Sequence, residues 1–139
     1  MKQENKAKLE EFFSNNDQFA KANGMNIEDI DDGYAITSME VKQEHLNGAK
    51  VAHGGAIFSL ADYAFAIASN SYGQLALGIN TSISFLNSSF EGEILYAKAV
   101  EVDKNHKLAS YTITVTNKQE KTIAIMQGMV YKKDKQIIL

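Results

Sequence analysis

The sequence predicts an α+β domain in which an antiparallel sheet wraps around one long central helix. Three observations carry this expectation. Residues 54–70 form a breaker-free run rich in Ala, Leu, Ile and Phe. Four strand-like segments follow it, and a hairpin pattern precedes it. A helix that is apolar nearly all round needs cover, and a curved sheet is the simplest cover these strands supply.

The elements follow in chain order. Residues 3–13 carry Leu9, Phe12 and Phe13 on one helical face. A short helix is expected at 17–23, with Asp17 as its N-cap and Gly24 at its end. Segments 25–30 and 34–41 flank Asp31-Asp32-Gly33, which reads as a hairpin turn. A polar loop then holds Glu44, His45, Asn47 and Gly48. The central helix runs from Gly54 to Asn70, about four turns. Strands are expected at 76–87, 94–102, 108–117 and 122–132. In the third, Tyr111, Ile113 and Val115 alternate with Thr112, Thr114 and Thr116, the pattern of a half-buried strand. The connections Asn87–Glu93, Asp103–Lys107 and Asn117–Lys121 are short and polar, which suits an antiparallel meander. Residues 1–5 and 132–139 look peripheral. The expectation is one domain over 1–139, with its core at about 17–132.

Composition narrows the function classes. A chain of 139 residues suits one domain, and 45% apolar residues can build a core. The net charge of -3 argues against nucleic acid, whose phosphates call for a basic face. There is no cysteine, so disulfides, thiolate metal sites and a cysteine nucleophile are excluded. The N-terminus has no apolar core of a signal peptide. The longest apolar stretch, Ala56 to Ala68, is interrupted by Ser59 and Asp62 and is too short to span a bilayer. A soluble cytoplasmic protein with no membrane partner is expected.

Between Glu44 and Glu91, histidines aside, only Lys50 and Asp62 are charged. Asp62 sits mid-helix among Ala61, Tyr63, Ala64 and Phe65, with no Lys or Arg one turn away. Burying an unpaired carboxylate costs several kcal/mol. The bland reading is a helix face that meets water, or a structural hydrogen bond to backbone. The sharper one is a catalytic acid–base group or nucleophile lining a pocket. His53-Gly54-Gly55 opens the same helix. Helix N-termini present free N–H groups, and glycine lets a ligand approach the backbone, so this turn can hold a developing oxyanion. A Gly pair also simply makes a tight loop-to-helix turn. An HGG sequence occurs in α/β-hydrolases as well, but their G-x-S-x-G is absent here.

Taken together, the two features set a geometric condition. Gly54 and Asp62 are eight residues apart on one helix, or roughly 12 Å. A reacting carbonyl needs both groups within about 3 Å. One chain cannot bring them to the same carbon, whereas two antiparallel helices across a twofold axis can.

At this point the pattern N-x5-H-G-G-x6-D, from Asn47 through His53, Gly54 and Gly55 to Asp62, resembles the hotdog thioesterases of the phenylacetate-pathway (PaaI) type. Gly24-Met25 with the Asp-Asp-Gly turn resembles that family's N-terminal hairpin. Ile83-Ser84-Phe85-Leu86 resembles its first strand after the helix, and Ala124 to Tyr131 its last. The resemblance covers roughly residues 17 to 132. It implies a hotdog fold, acyl-CoA thioester substrates of aryl-acetyl, benzoyl or medium-chain type, and a dimer or dimer of dimers. It also implies roles. The Gly54 amide polarises the thioester carbonyl. Asp62 of the other chain activates water or attacks directly, and Asn47 helps orient water or the carbonyl. His53 is a further catalytic candidate, supporting the loop and contacting the thioester region. No metal or redox cofactor is implied, since CoA belongs to the substrate. The family often carries Arg-Pro where this chain has Asn87-Ser88-Ser89.

Other residues have weaker claims. Gly55, Asn80, Thr81 and Ser82 are candidate substrate-binding residues. Ser59, one turn before Asp62, can donate to that carboxylate or bond back to the helix. Phe58, Tyr63 and Phe65 read as core rather than as acyl-chain readers. Lys132, Lys133 and Lys135 can attract CoA phosphates or simply form a charged tail. His45, His53 and His106 lack the clustering of a metal site. Two alternatives stand beside thioester hydrolysis. One is a non-catalytic acyl-CoA-binding hotdog protein. The other is an acyl-thioester dehydratase or hydratase, whose proline-rich motif cannot exist in a chain without proline.

Overall fold

The computed structural model describes residues 1–138. Two helices, α1 (Gln3–Asn16) and α2 (Gln18–Ala22), lead into the hairpin β1 (Asn26–Asp31) and β2 (Tyr34–Glu40). A 3-10 turn at Gln43–His45 precedes the central helix α3 (Gly54–Ser69). Strands β3 (Gln74–Phe85), β4 (Ile94–Lys104), β5 (Leu108–Asn117) and β6 (Thr122–Gln136) complete one six-stranded sheet, ordered β1-β2-β4-β5-β6-β3. Every pairing is antiparallel, and the sheet curves around α3 as a hotdog fold. No helix among the described residues is long and apolar enough to cross a membrane.

Local chemistry sets the boundaries. The Ala20 N–H donates to Asp17 Oδ1 at 3.0 Å, so Asp17 caps α2. Gly24, at φ 67°, takes the left-handed conformation that ends it. Along β5 the buried residues Ala109, Tyr111, Ile113 and Val115 alternate with half-exposed ones, as the period-two pattern predicts.

Three expectations are corrected. First, the four later strands are not a simple meander. β4, β5 and β6 are consecutive neighbours, but β3 pairs with β6 at the far edge, so residues 86–93 form a crossing connection rather than a hairpin. That segment runs past the start of α3, where the Ala52 N–H donates to the Ser89 carbonyl at 2.8 Å. Second, residues 132–136 are not a loose tail. They extend β6, and Gln136 stands opposite Gln74. Leu139, also assigned to that tail, lies outside the described residues. Third, α3 is not fully enclosed. Its buried face includes Ile57, Leu60, Ala61, Ala64, Phe65 and Ala68, while Gly55, Phe58, Ser59, Asp62 and Ala66 make a stripe that the chain leaves open or half-covered. Phe58 is packed against the core on one side only, whereas Tyr63 and Phe65 are fully part of it.

The helix docks through Phe65. Its ring nests on two glycines: a Cβ at Gly128 would lie 2.6 Å from Phe65 Cζ, and one at Gly78 would lie 3.1 Å from Cε2. Tyr111 meets the same ring edge-on at 5.8 Å. A further tie comes from Thr37, whose buried hydroxyl donates to the Leu60 carbonyl at 3.2 Å. On the opposite side, Phe13 of α1 packs against Tyr63.

Gly128→Ala therefore has no room. The Phe65 ring is held by Tyr111 and cannot swing clear, so the variant should lose about 1–3 kcal/mol of stability, the usual penalty for overpacking. Urea unfolding measures this, and an unchanged midpoint would show that the nest is looser than described.

Candidate active site

The loop before α3 is tied down by its own polar groups. Asn47 Oδ1 accepts from the Ala49 and Val51 N–H groups, at 2.9 and 3.3 Å. The His53 N–H donates to the His45 carbonyl at 2.7 Å. His45 is buried; its Nδ1 accepts from the Lys42 N–H at 3.0 Å, which leaves Nε2 to donate to Asn23 Oδ1 at 3.2 Å. Asn47 is thus a loop-forming residue through its oxygen, and only its Nδ2 faces no acceptor among the described residues.

His53 caps α3 with its side chain. Its Nδ1 accepts from the Gly55 N–H at 2.8 Å, and its carbonyl accepts from Ala56 and Ile57. Three N–H groups of the first turn are therefore occupied. Among the described residues, no acceptor meets the fourth, that of Gly54. The Gly55 amide, by contrast, is committed to His53, and Gly55 leaves room for that ring: a Cβ there would lie 3.0 Å from Nδ1.

Asp62 is exposed in this chain, on a helix face that meets water, one of the two readings the sequence left open. It lies on the open stripe of α3, in a hollow of about 160 Å³ whose other walls include Asp17, Phe19, Met25, Phe58 and Tyr63. These walls strip part of its hydration, and burial pushes its carboxyl above the usual aspartate range. The negative charge of Asp17 adds to the effect. The Tyr63 hydroxyl is pushed up to about 12 by burial, so it stays neutral. Ser59 Oγ donates to the Gly55 carbonyl at 2.7 Å, bonding back to the helix rather than to Asp62.

The sheet candidates divide by pleat. Thr81 stands opposite Gly128, which faces Phe65, so Thr81 shares the helix side of the sheet. Asn80 and Ser82 alternate to the outer face, where they line a separate hollow with Thr112 and Gln127. The chain thus brings His53, Gly54 and Gly55 together at the start of α3, holds Asn47 in the loop that precedes it, places Asp62 two turns away, and leaves Asn80 and Ser82 on the far face. Of the tail lysines, Lys132 donates to the Asn105 carbonyl at 2.8 Å and Lys133 lies over the Tyr131 ring. Asp17 and Phe19 were missed as site residues, because nothing in their local sequence shows that α2 folds over the open stripe. Among the described residues, no group of His, Cys, Asp or Glu side chains is gathered that could hold a metal ion.

Comparison with known proteins supplies the family. The model of the thioesterase superfamily matches residues 49–124, which includes His53, both glycines and Asp62. The chain belongs to the thioesterase superfamily. Within this superfamily it is similar to a putative esterase of Archaeoglobus fulgidus, 46% identical over 90% of this chain and 81% of that one. It is 40% identical to the acyl-coenzyme A thioesterase PaaI of Escherichia coli, over 84% of each chain. The solved structure of that PaaI protein superposes with a TM-score of 0.87, covering 89% of this chain and 90% of the other. A Streptococcus mutans protein solved with acetyl CoA superposes at a TM-score of 0.77, with 28% identity over 81% of this chain and 90% of that one. The chain is a hotdog thioesterase of the PaaI type, as its N-x5-H-G-G-x6-D motif implied.

The environment of this thioesterase's Asp62 gives a stability test. A carboxyl raised in the folded chain binds its proton more tightly there than when unfolded. Its contribution to stability is complete below the unfolded value and is lost as pH rises through the folded one. Asp62→Asn should therefore raise the melting temperature at pH 7, with the gain shrinking as pH falls through the raised folded value of Asp62 and gone by about 4, where an ordinary aspartate protonates. Melting curves at both pH values decide it, and a lower melting temperature at pH 7 would contradict the cost of partly burying this carboxylate beside Asp17.

Proposed function

We propose that the chain hydrolyses acyl-CoA thioesters, of aryl-acetyl, benzoyl or medium-chain type, at sites shared between two protomers. One observation carries this reading. An uncovered Asp62 and an unpaired Gly54 N–H lie on one helix, roughly 12 Å apart by helical rise. Two such helices packed antiparallel bring each Asp62 beside the other's Gly54. The edge strand β3 supports the pairing, since it exposes Leu77, Ile79 and Phe85 along an unpaired backbone.

In this scheme the thioester carbonyl oxygen accepts the Gly54 N–H of one protomer, with Asn47 Nδ2 as a second donor. Asp62 of the other protomer takes a proton from water, and the hydroxide attacks the carbonyl carbon. The tetrahedral oxyanion is held by the donors and collapses, expelling the CoA thiolate, which takes up the proton held by Asp62 and leaves as free thiol. The raised proton affinity of Asp62 suits a general base. His53 acts indirectly, by fixing the turn that aims Gly54. CoA enters as part of the substrate, and no metal or redox group takes part.

Purified protein should release free thiol from at least one aryl or medium-chain acyl-CoA, and Asp62→Asn should lower kcat by on the order of 10²-fold or more. Binding without thiol release across a broad panel would favour a non-catalytic acyl-CoA-binding protein.

Mixed dimers test the shared site. Asn47→Asp keeps the oxygen that holds the loop but removes the Nδ2 donor and adds a negative charge where the oxyanion forms. Refolded together with Asp62→Asn, half the dimers pair unlike chains, and one of their two sites escapes both lesions. Roughly a quarter of wild-type activity should return, as twofold symmetry requires. Verified heterodimers with no recovered activity would place all site residues in one chain.

A further inference from the structure

The short helix α2 stands across a hollow from the open stripe of α3 and carries a phenyl ring with no core role. Phe19 is 61% exposed, although its neighbour Ala20 is buried. Its ring forms the shared wall of two adjoining hollows. One, of about 160 Å³, contains Asp62. The other, of about 200 Å³, runs from Ser59 back to His53 and Gly55. The floor of both is the stripe of small residues on α3, with Ser59 common to the two. Met25 also borders both, so Phe19 and Met25 form the divide.

Charge selects the occupant of the hollow beside Asp62. The only charged residues on its walls are Asp17 and Asp62 themselves. Both repel the phosphates of CoA, whereas an uncharged acyl group meets Phe19, Ala20, Met25, Phe58, Tyr63 and Ala66. Size agrees: a cavity of about 150 Å³ lined by apolar side chains takes up benzene. The hollow therefore accommodates one ring or a short aliphatic chain. Anything longer must pass Phe19 into the second hollow. α2 holds the ring in place, because Asp17 caps its start and Gly24 turns the chain at its end.

We propose that Phe19 is a specificity-determining residue, its ring closing the acyl chamber beside Asp62 and setting the size of acyl group that fits. This rests on the thioesterase reading above. Phe19→Ala opens the divide between the hollows. The variant should lose about tenfold in kcat/KM for phenylacetyl-CoA, mainly through KM, since the lost contact is made equally in ground and transition states. The loss should shrink for acetyl-CoA and turn to a relative gain for chains long enough to enter both hollows. Phe19→Leu should recover part of the phenylacetyl-CoA activity. Phe19 is exposed, so both variants should fold normally, as circular dichroism and melting curves check.

A second readout does not depend on turnover. The chain has no tryptophan. Phe19→Trp in the Asp62→Asn background places a single tryptophan at the divide, and a non-hydrolysable phenylacetyl-CoA thioether should shift its emission, excited at a wavelength the tyrosines do not absorb, to the blue. Equal losses across the acyl series, or unchanged Trp emission while calorimetry records binding of the thioether, would overturn the assignment. A wild-type protein that hydrolyses none of the series, while the Phe19→Trp variant shows the emission shift on binding the thioether, would instead sink the thioesterase reading and leave the acyl chamber standing.

Discussion

The seat of Phe65 on Gly78 and Gly128 fixes how the central helix is turned within the sheet. A helix presents a different face with each 100° of rotation, and an aromatic ring pressed against bare backbone permits one rotation only. Those two glycines come from β3 and β6, neighbours at one side of the sheet. The ring is wedged by Tyr111 from β5. With Phe65 pointing inward, residues 55, 59, 62 and 66 point outward. The position of the carboxylate is thus a consequence of core packing on the other side of the same helix.

The outward stripe does not resemble the surface of a helix built to stay in water. It has glycine, serine and alanine around one acid, bordered by Phe19, Met25 and Phe58. Asp62 stands there without a cation and opposite a second acid, an arrangement that costs the folded chain stability. Sites that combine desolvation with like charge are typical of groups that handle protons. The N-terminal turn shows the complementary arrangement, with every early N–H group satisfied among the described residues except that of Gly54.

Much of this was legible in the sequence, and the failures have identifiable causes. The central helix was readable because no breaker interrupts Gly54 to Ser69, and β5 because Thr and aliphatic residues alternate without fault. Asp62 stood out as a lone acid in an apolar run. Its exposure did not, because apolar periodicity cannot tell cover by the same chain from cover by another. β3 was harder. Asn80, Thr81 and Ser82 are consecutive, so the pleat sends Thr81 to one face and its two neighbours to the other, and the register shift between Gly78 and Asn80 hides from the sequence which face is which. The end of β6 was missed because Lys132, Lys133 and Lys135 look like a solvated tail, whereas their backbone pairs with the start of β3. Phe19 lay beyond reach, because only the tertiary fold shows that α2 crosses the open stripe.

The walls of the hollow come from two different sources. The floor belongs to α3, whose opposite face is committed to the sheet and tolerates little change. The lid belongs to α2, five residues long and absent from every strand pairing. Substitutions in the lid leave the Phe65 nest untouched. In this chain the lining of the hollow can therefore change while the core stays constrained, because the two demands fall on separate parts of the sequence.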